Sequence, residues 1–318
     1  MTNYDISVIL PVYNDEEYVD GAIQSILNQT GVSFELIIVN DGSTDKSRDV
    51  IQTYAECENV QIITHDGNRG LASALNSGIE AASGDYIARQ DADDRSVPGR
   101  LQTQYEYLTE NTGTDLFSTG TFVISEEGNN IGSFSPPPNL EEALKNYNPI
   151  VHGSVIIRAQ ALRNIGGYDP FFNYRQDYEL WTRLCEQGYT LGGIPEKLYE
   201  LRRSSDPVSV DKQREKIEYA LLARTQKRRK EKLKKIAIED GIHAITSHLT
   251  RAEKADYNRR MVRSYIEHGH RSKALAAGVN ALYFSPTTIS SHKHFILSVL
   301  PICLSTRVVS SISGRPGK

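Results

Sequence analysis

The acidic run Asp91-Ala92-Asp93-Asp94 contains the residues whose types and spacing most directly suggest chemistry. Asp91 and Asp93 are two positions apart, and side chains at that spacing point to the same side of an extended backbone. Two carboxylates on one side suit a hard divalent cation that is bound through oxygen and shared with substrate phosphates. The competing interpretation is a solvated acidic turn that caps a helix starting near Pro98, and it is the commoner one for an isolated motif this short.

Asp177 is the second candidate, because it precedes the apolar residues Leu180, Trp181 and Leu184, which recur at helical spacing. This spacing places Asp177 near the start of a helix. A carboxylate in a transfer site can act as a general base that takes a proton from an attacking hydroxyl. Taken alone, the carboxylate is better explained by a favourable interaction with the N-terminus of its own helix.

The elements that must position these carboxylates alternate between strand and helix over the first hundred residues. The predicted strands are Ile6–Leu10, Phe34–Val39, Val60–Ile63 and Asp85–Ala88. The predicted helices are Glu16–Gln29, a helix that carries Val50 and Ile51 after an N-cap at Ser43 or Thr44, Leu71–Ala82, and a helix with Pro98 in its first turn. This alternation predicts a mostly parallel sheet with helices on both faces.

Polar residues follow three of the predicted strands: Tyr13-Asn14 follows the first, Asp41 the second and Asp91-Ala92-Asp93-Asp94 the fourth. Ligands of such sheets bind at the carboxyl ends of the strands. We therefore expect these residues to lie close together at one edge of the sheet.

The remainder of the chain changes in character twice. Residues 115–201 indicate short strands and short helices, and from Asp211 onward the pattern is nearly all helical, so we place a domain boundary near residue 210. A formal net charge of -4 gives no basic field for nucleic acid, which is not an expected partner. Three cysteines far apart form no metal-binding or redox spacing and fit a reducing compartment.

Three stretches, taken together, resemble the donor half of glycosyltransferase family 2, the inverting enzymes of GT-A fold: Ser7–Asn14, Asn40–Asp45 and Gln90–Asp94. The resemblance covers roughly the first two hundred residues. It implies an α/β GT-A fold with a Rossmann-like sheet over residues 1–210, with a donor half at 1–100 and an acceptor half at 101–210. Residues 211–318 would then form a helical C-terminal extension.

The resemblance also implies roles for individual residues in binding the donor. Asp91 would reach the ribose or the donor sugar, Asp93 would ligate Mg²⁺ or Mn²⁺, and Asp94 is a weaker candidate. Asp41 would accept a hydrogen bond from the nucleoside base. The other residues expected to bind the nucleotide or the donor are Pro11, Tyr13, Asn14, Arg69 and Arg203, with Arg202 the alternative to Arg203 as a partner of the diphosphate.

On the acceptor side, the resemblance makes Asp177 the general base. Gln176 stands where the family has Glu, and Gln176 and His152 are acceptor-site candidates. Many relatives carry a metal-binding His after a pair of basic residues, whereas this chain has Ser204-Ser205 there. That departure puts a third protein ligand of the metal in doubt.

The resemblance implies an inverting glycosyltransferase that moves a sugar from a nucleotide-diphospho-sugar, with UDP favoured, to a glycan or lipid-linked acceptor in the synthesis of cell-surface polysaccharides or glycoconjugates. The alternative is a catalytically silent nucleotide-sugar-binding scaffold. A dinucleotide-dependent dehydrogenase is excluded, since no GxGxxG follows the first strand.

The location of the protein is predicted from charge and hydropathy. No basic segment followed by a long apolar one begins the sequence, and the apolar stretch Phe295–Leu304 is too short to cross a bilayer as a helix. The basic run Arg224–Lys235 is explained either by a solvated helix face or by attachment to an anionic membrane surface. We therefore expect a cytoplasmic protein that is either soluble or peripherally attached to the cytoplasmic face of the membrane.

Overall fold

The computed structural model describes residues 4–203, 209–288, 290 and 292–294. The chain divides into two compact units, Met1–Ser205 and Asp206–Lys318, referred to below as the N-terminal and C-terminal units. This division lies close to the boundary expected near residue 210. The functional domains assigned from the sequence, including the division between donor and acceptor halves at residue 100, stay predictions.

A single mixed sheet organises the described part of the N-terminal unit. Its strands are β1 (Ile6–Val12), β2 (Phe34–Asn40), β3 (Val60–Thr64), β4 (Tyr86–Arg89), β5 (Arg95–Ser96), β6 (Leu116–Ile124), β7 (Asn130–Phe134), β8 (Val155–Arg158) and β9 (Leu191–Arg202). Their order is β3-β2-β1-β4-β8-β6-β9-β5, with β7 paired to β6. Strands β1 to β4 pair in parallel, as the alternation predicted. Beyond them β8 pairs antiparallel with both β4 and β6, and only the pairing of β6 with β9 is again parallel.

The helices of this unit connect the strands. They are α1 (Val19–Leu27), α2 (Ser47–Gln52), α3 (Leu71–Ala81), α4 (Arg100–Glu110), α5 (Leu140–Leu144), α6 (Ala159–Asn164) and α7 (Gln176–Glu186). The two longest predicted strands are buried along their whole length, as expected for apolar runs in a sheet that is covered on both faces.

Register brings the carboxyl ends of three strands together. Val12 at the end of β1 lies opposite Asn40 at the end of β2, and Ile9 lies opposite Arg89 at the end of β4. The residues that follow these strands, including Asp41 and the acidic run, therefore share one edge of the sheet, as the sequence predicted.

The predicted N-cap of the second helix is wrong. Helix α2 begins at Ser47, and Lys46 before it makes no capping hydrogen bond with its side chain. The Ser43 hydroxyl instead accepts the backbone N–H of Asn14 at 3.2 Å, and the Thr44 N–H donates to the Asn14 side chain at 2.8 Å. Both residues are occupied by a long-range contact that local sequence does not reveal.

The backbone of the acidic run also differs from the expectation. Residues 91–94 form a turn in which the N–H of Asp94 donates to the carbonyl of Asp91 at 3.3 Å, so the backbone is not extended there. The helix expected at Pro98 begins at Arg100, after Gly99, whose φ of 83° is in the left-handed region. The turn therefore does not cap that helix directly.

A buried guanidinium joins four elements of the N-terminal unit. Arg100 on α4 has no exposed surface and donates to the carbonyls of Gly153 at 2.7 Å and Arg89 at 3.0 Å. Its guanidinium also lies over the Tyr199 ring, 5.3 Å from the centroid. The Tyr199 hydroxyl in turn accepts the backbone N–H of Asp91 at 3.1 Å. We call these five residues the Arg100 cluster; through it α4, β4, β9 and the 3-10 turn His152–Ser154 are held around the acidic turn.

The described part of the C-terminal unit is helical, as predicted. Its helices are α8 (Val210–Ala223), α9 (Lys227–Asp240), α10 (Arg251–Glu267) and α11 (Arg271–Phe284), with a 3-10 segment at Ile242–His248. They enclose an apolar core of Ile217, Leu221, Leu249, Met261, Val262, Ile266, Ala274 and Ala277. No helix within the described residues is long and apolar enough to cross a membrane. The stretch Phe295–Leu304 lies outside the described residues.

Part of the predicted basic run is used inside the C-terminal unit. Arg224 pairs with Asp256, Arg229 makes a bidentate contact with Glu253, and Lys230 is buried. The exposed basic residues of the run are Lys227, Arg228, Lys232 and Lys235. Attachment to an anionic membrane stays a prediction, and these exposed side chains are candidates for it.

The Arg100 cluster predicts that position 153 tolerates no side chain. A Cβ added to Gly153 would lie 1.9 Å from the Tyr199 hydroxyl oxygen, so Gly153→Ala must displace the ring or the turn. We expect the free energy of unfolding, measured by urea titration, to fall by about 1–3 kcal/mol. The matched control is Gly132→Ala in β7, where an added Cβ meets no atom within 4 Å. Equal stability of the two variants would contradict the packing described.

Candidate functional site

A cleft of about 310 Å³ opens at the carboxyl ends of β1, β2 and β4. The residues that line this first cleft are Pro11, Val12, Tyr13, Asp15, Asp41, Asn68, Leu71, Ala74, Arg89, Asp91, Ala92 and Asp93. Five of the predicted donor-site residues are among them: Pro11, Tyr13, Asp41, Asp91 and Asp93. The remaining three, Asn14, Arg69 and Arg203, are not among the lining residues.

Asp41 organises the loop between β3 and α3. One of its carboxylate oxygens accepts the backbone N–H of Arg69 at 2.9 Å and contacts the His65 ring at 2.7 Å, and the other accepts the N–H of Gly70 at 2.8 Å. The side chain is buried, with 3 % of its surface exposed. Asp41 thus fixes the backbone of Arg69, and its contact with a nucleoside base stays a prediction.

Asn14 follows the cleft residue Tyr13 and contacts the loop after β2. Its φ of 57° is in the left-handed region, which Asn tolerates better than most residues. Its side-chain oxygen accepts the N–H of Thr44 at 2.8 Å. Tyr13 next to it is 44 % exposed, so its ring is available to a ligand in the cleft. A direct contact of Asn14 with the donor stays a prediction.

Arg89 is a cleft residue that sequence reasoning missed. It is the last residue of β4, only 3 % exposed, and it donates to the Asp91 carboxylate at 2.6 Å. Its Nε atom is buried and has no hydrogen-bond partner among the described residues. The available signal was an Arg at the end of a buried strand beside an acidic run, because a buried charge requires a partner.

Asp93 is the carboxylate with the most perturbed titration that still faces the cleft. Burial, together with the negative charges of Asp91 and Asp15, raises its pKa from 3.8 to about 6. Asp15, also missed from the sequence, itself has a pKa raised by burial and by the charges of Asp45 and Asp91. The cleft therefore gathers negative charge that a bound cation would relieve.

The donor set of the acidic turn fits a divalent cation shared with a substrate. Within the described residues no group of three or more His, Cys, Asp and Glu side chains is arranged to hold a metal ion. Mg²⁺ is usually held by one or two carboxylates together with substrate phosphates, so a complete protein cage is not required. The crowded carboxylate of Asp93 suits such a cation. The doubtful third ligand position, Ser204-Ser205, lies outside the described residues.

Asp94 and Arg202 hold the turn in place. Asp94 is 1 % exposed, and one of its carboxylate oxygens accepts the backbone N–H of Arg202 at 2.6 Å. The Arg202 guanidinium donates to the Asp93 carbonyl at 2.8 Å and lies over the Tyr18 ring at 4.5 Å. Arg202 is thus committed to the fold. Arg203 is exposed, and its contact with a diphosphate stays a prediction.

A second cavity, of about 580 Å³, lies on the acceptor side predicted from the sequence. Its lining residues are Phe134, Ser135, Pro137, Tyr147, Asn148, Pro149, Ile150, Val151, His152, Arg175, Asp177 and Leu201. Asp177 and His152 are therefore brought together in one cavity. Gln176, the first residue of α7, is 9 % exposed and is not among the lining residues.

The Asp177 carboxylate is partly buried and hydrogen-bonded. Burial raises its pKa, whereas the backbone N–H of Tyr178, the positive charge of Arg175 and a hydrogen bond from Asn148 lower it. The Asn148 side-chain amide donates to the carboxylate at 2.6 Å. The negative charge of Asp91 raises the pKa further. Asp177 is therefore a carboxylate with enhanced proton affinity that still has several groups favouring its ionised form.

His152 is held as a neutral ring. Burial, together with the positive charge of Arg89, lowers its pKa well below 6.5. One ring nitrogen is 2.8 Å from the Tyr168 hydroxyl, and the ring meets Trp181 edge-on at 5.9 Å between centroids. These contacts orient His152 in the cavity wall, and its contact with an acceptor stays a prediction.

The two cavities are electrostatically connected. Arg89 of the first cleft acts on His152 of the second, and Asp91 of the first acts on Asp177 of the second. An acidic, cation-suited cleft thus lies beside a cavity that contains the Asp177 carboxylate. This arrangement can bind a charged leaving group on one side and deprotonate a nucleophile on the other.

Comparison with known proteins agrees with this geometry. The model of glycosyl transferase family 2 matches residues 7–175. A Bacillus subtilis (strain 168) protein named as glycosyltransferase EpsE is 35 % identical over 205 residues, which cover 63 % of this chain and 74 % of EpsE. The O-antigen biosynthesis glycosyltransferase WbnJ of Escherichia coli is 35 % identical over 186 residues, which cover 57 % of this chain and 72 % of WbnJ.

A solved structure shares the fold. The structure of S. aureus TarS residues 1–349 in complex with UDP-GlcNAc superposes with a TM-score of 0.58 at 16 % identity, covering 90 % of this chain and 93 % of that one. At this identity the likeness concerns the fold. Together with the family match it confirms the predicted GT-A class with a C-terminal helical extension.

From the crowding of negative charge at Asp93 we predict an effect on the free energy of unfolding. Folding raises the pKa of this carboxyl from 3.8 to about 6, so its ionisation opposes folding. The penalty is absent below about pH 4, grows between pH 4 and 6 and is complete above pH 6. Without divalent metal, Asp93→Asn should therefore raise the free energy of unfolding at pH 7 by up to about 2–3 kcal/mol.

Urea unfolding in the presence of a chelator at pH 7 and at pH 4 measures this effect. The gain should nearly disappear at pH 4, where the wild-type carboxyl is protonated in the folded chain and about half protonated in the unfolded chain. Asp49→Asn, which changes an exposed carboxylate on α2, is the matched control and should leave stability nearly unchanged. A loss of stability at pH 7 on Asp93→Asn would show that the carboxylate is not crowded.

Proposed function

We propose, because the chain belongs to glycosyl transferase family 2, that it transfers one sugar from a nucleotide-diphospho-sugar to a glycan or lipid-linked acceptor with inversion at the anomeric carbon. The chain is a glycosyltransferase; the donor, the acceptor and the inverting mechanism are the proposed part. One observation supports them best. The Asp177 carboxylate lies in a cavity beside an acidic cleft, and the Asp91 charge acts across the two.

The first cleft is proposed to bind the donor. Tyr13 offers a half-exposed ring to the nucleoside base, and the loop that Asp41 holds at Arg69 and Gly70 closes the other side of the cleft. Asp91, oriented by Arg89, is available to the ribose or the donor sugar. Uridine is the favoured nucleoside because of the family resemblance, and the fold relative TarS has a structure in complex with UDP-GlcNAc.

Asp93 is the proposed metal ligand, with Mg²⁺ or Mn²⁺ as the cation. When bound, such a cation neutralises charge that develops on the diphosphate leaving group. The residues of the chain prepare the position for it. Arg89 neutralises Asp91, Arg202 holds the backbone at Asp93, and the Asp93 carboxylate has no ion-pair partner among the described residues.

Asp177 is the proposed base of the transfer step. Its carboxylate takes the proton of the acceptor hydroxyl while that oxygen forms a bond with the anomeric carbon. The bond between the anomeric carbon and the phosphate oxygen breaks, and the nucleoside diphosphate leaves with the bonding electrons. A single displacement of this kind inverts the anomeric configuration. The raised proton affinity of Asp177 suits the base, which works best when its pKa is near the working pH.

The second cavity has surfaces suited to a sugar acceptor. Phe134 and Tyr147 line it and remain 39 % and 51 % exposed. Exposed aromatic rings beside a few polar groups are typical of sites that bind the apolar faces of small ligands. WbnJ is named for O-antigen biosynthesis, and we propose for this chain a similar place in the synthesis of a surface polysaccharide.

Binding of the donor should depend on the metal. We expect one of a panel of UDP-, GDP- and dTDP-sugars to raise the melting temperature in the presence of Mn²⁺ and to do so less without it. A ligand at a hundred times its Kd stabilises by about 2.7 kcal/mol, which is readily measured by thermal shift. Asp93→Asn should remove the increment that depends on Mn²⁺.

Two outcomes of that panel would count against the proposal. A melting temperature raised equally with and without Mn²⁺ would remove the metal from the donor site. No shift and no transfer with any nucleotide sugar would exclude the nucleotide-sugar donor itself. Binding without transfer would favour the silent scaffold.

Asp177→Asn tests the proposed base role separately from binding of the donor. The substitution keeps the size of the side chain but removes its proton affinity, so turnover should fall by about 10²- to 10⁴-fold. The thermal shift given by the donor should stay unchanged, since Asp177 does not line the first cleft. Asp49→Asn serves as the control for the loss of a carboxylate. Turnover that survives Asp177→Asn would assign the base to another residue.

A further inference from the structure

One short segment forms much of the wall of the second cavity and also contacts the proposed base. Residues 147–152 all line the cavity, and Asn148 within this segment faces Asp177 across it. The Asn148 side-chain N–H donates to a carboxylate oxygen of Asp177 at 2.6 Å. Among the described residues, this is the side-chain hydrogen bond that the Asp177 carboxylate receives. Its donor lies 29 positions away in the chain.

The other end of the same amide is also held. The side-chain oxygen of Asn148 accepts the backbone N–H of Ile150 at 3.1 Å. An amide whose oxygen receives a backbone N–H must turn its NH₂ group the other way, so the orientation that donates to Asp177 is fixed by the fold. A carboxylate with one oxygen held in this way has little freedom to rotate.

Several other groups act on Asp177 from the elements packed around it. The N–H of Tyr178 and the charge of Arg175 come from the start of α7, and the Asp91 charge comes from the acidic turn. His152 and Tyr168 face it as neutral groups, because burial lowers the pKa of His152 and raises that of Tyr168. Asn148 is therefore a neutral side chain that can orient the carboxylate without changing the net charge of the cavity.

We propose that Asn148 is a positioning residue of the transfer reaction, which fixes the Asp177 carboxylate in the orientation that meets the acceptor hydroxyl. The inference rests on the proposed function, since it gives Asn148 a role only through Asp177. It differs from a role in binding the acceptor sugar, in which Asn148 would contact substrate itself.

Asn148→Asp is the most informative substitution. It keeps an oxygen that can accept the N–H of Ile150, so the local backbone retains its hydrogen bond. It replaces the donating NH₂ with an oxygen that repels the Asp177 carboxylate. Hydrogen bonds of this charged type are worth about a factor of ten to a hundred, so kcat should fall about 10- to 100-fold at pH 7.

The pH profile distinguishes positioning from a structural role. Loss of the donor and gain of a neighbouring acid both disfavour the ionised base, so the acidic limb of kcat/KM should move upward by about one pH unit or more. The KM for the donor should not change. Asn146→Asp, an exposed position two residues away, adds the same charge outside the cavity and should leave the limb in place. If Asn148→Asp does not fold, Asn148→Ala is judged by the same criterion.

Two results would overturn the proposal. A loss of activity with an unmoved acidic limb would assign Asn148 to substrate binding or to structure. Unchanged activity with an unmoved limb would remove any role for it. Titration of the Asp177 carboxyl by ¹³C NMR in wild-type and Asn148→Asp proteins gives a readout that requires no turnover. If the wild-type chain transfers no sugar, the proposed function fails, and this titration still decides whether Asn148 controls Asp177.

Discussion

A buried positive charge that needs partners is the constraint on which the N-terminal unit depends. Arg100 has no exposed surface, and burial lowers its pKa to about 10, so it stays charged at neutral pH. Its guanidinium obtains partners from the carbonyls of Gly153 and Arg89 and from the face of Tyr199. Because an uncompensated buried charge costs several kcal/mol, these elements are held together by necessity. The acidic turn on one side and the wall of the second cavity on the other take their positions from it.

Buried arginines within the described residues contact the acidic turn, and they pair with the Asp91 carboxylate but not with that of Asp93. Arg89 pairs with Asp91, while Arg202 supplies a backbone N–H to Asp94 and a guanidinium to the carbonyl of Asp93. The Asp93 carboxylate receives neither guanidinium and has the pKa raised to about 6. The fold therefore supports the backbone of the turn without neutralising the one carboxylate proposed to bind a metal. Instability of this kind is typical of functional sites, where an interaction with substrate or cofactor supplies the missing charge.

The sequence predicted the features that depend on neighbouring residues. It did not predict the contacts between residues that are far apart in the chain. Apolar runs placed strands β1 to β4, and the residues after them do share one sheet edge. Asp91 and Asp93 do line one cleft, but on a turn rather than on extended backbone. The capping role assigned to Ser43 was wrong because Asn14, 29 positions away, occupies its hydroxyl. The partners of Asn148 and Arg100 are equally remote, and no periodicity of the chain predicts them.

The position of Asp177, the proposed base, shows how the fold reconciles two demands on such a carboxylate. A base needs affinity for a proton, yet it must be ionised before it can accept one. Burial and the charge of Asp91 raise the affinity, whereas the N–H of Tyr178, Arg175 and Asn148 favour the ionised form. These opposing contributions come from the acidic turn, the start of α7 and the cavity wall. Since the first and last of these elements are tied to the Arg100 cluster, the balance at Asp177 depends on the same buried charge that sets the shape of the first cleft.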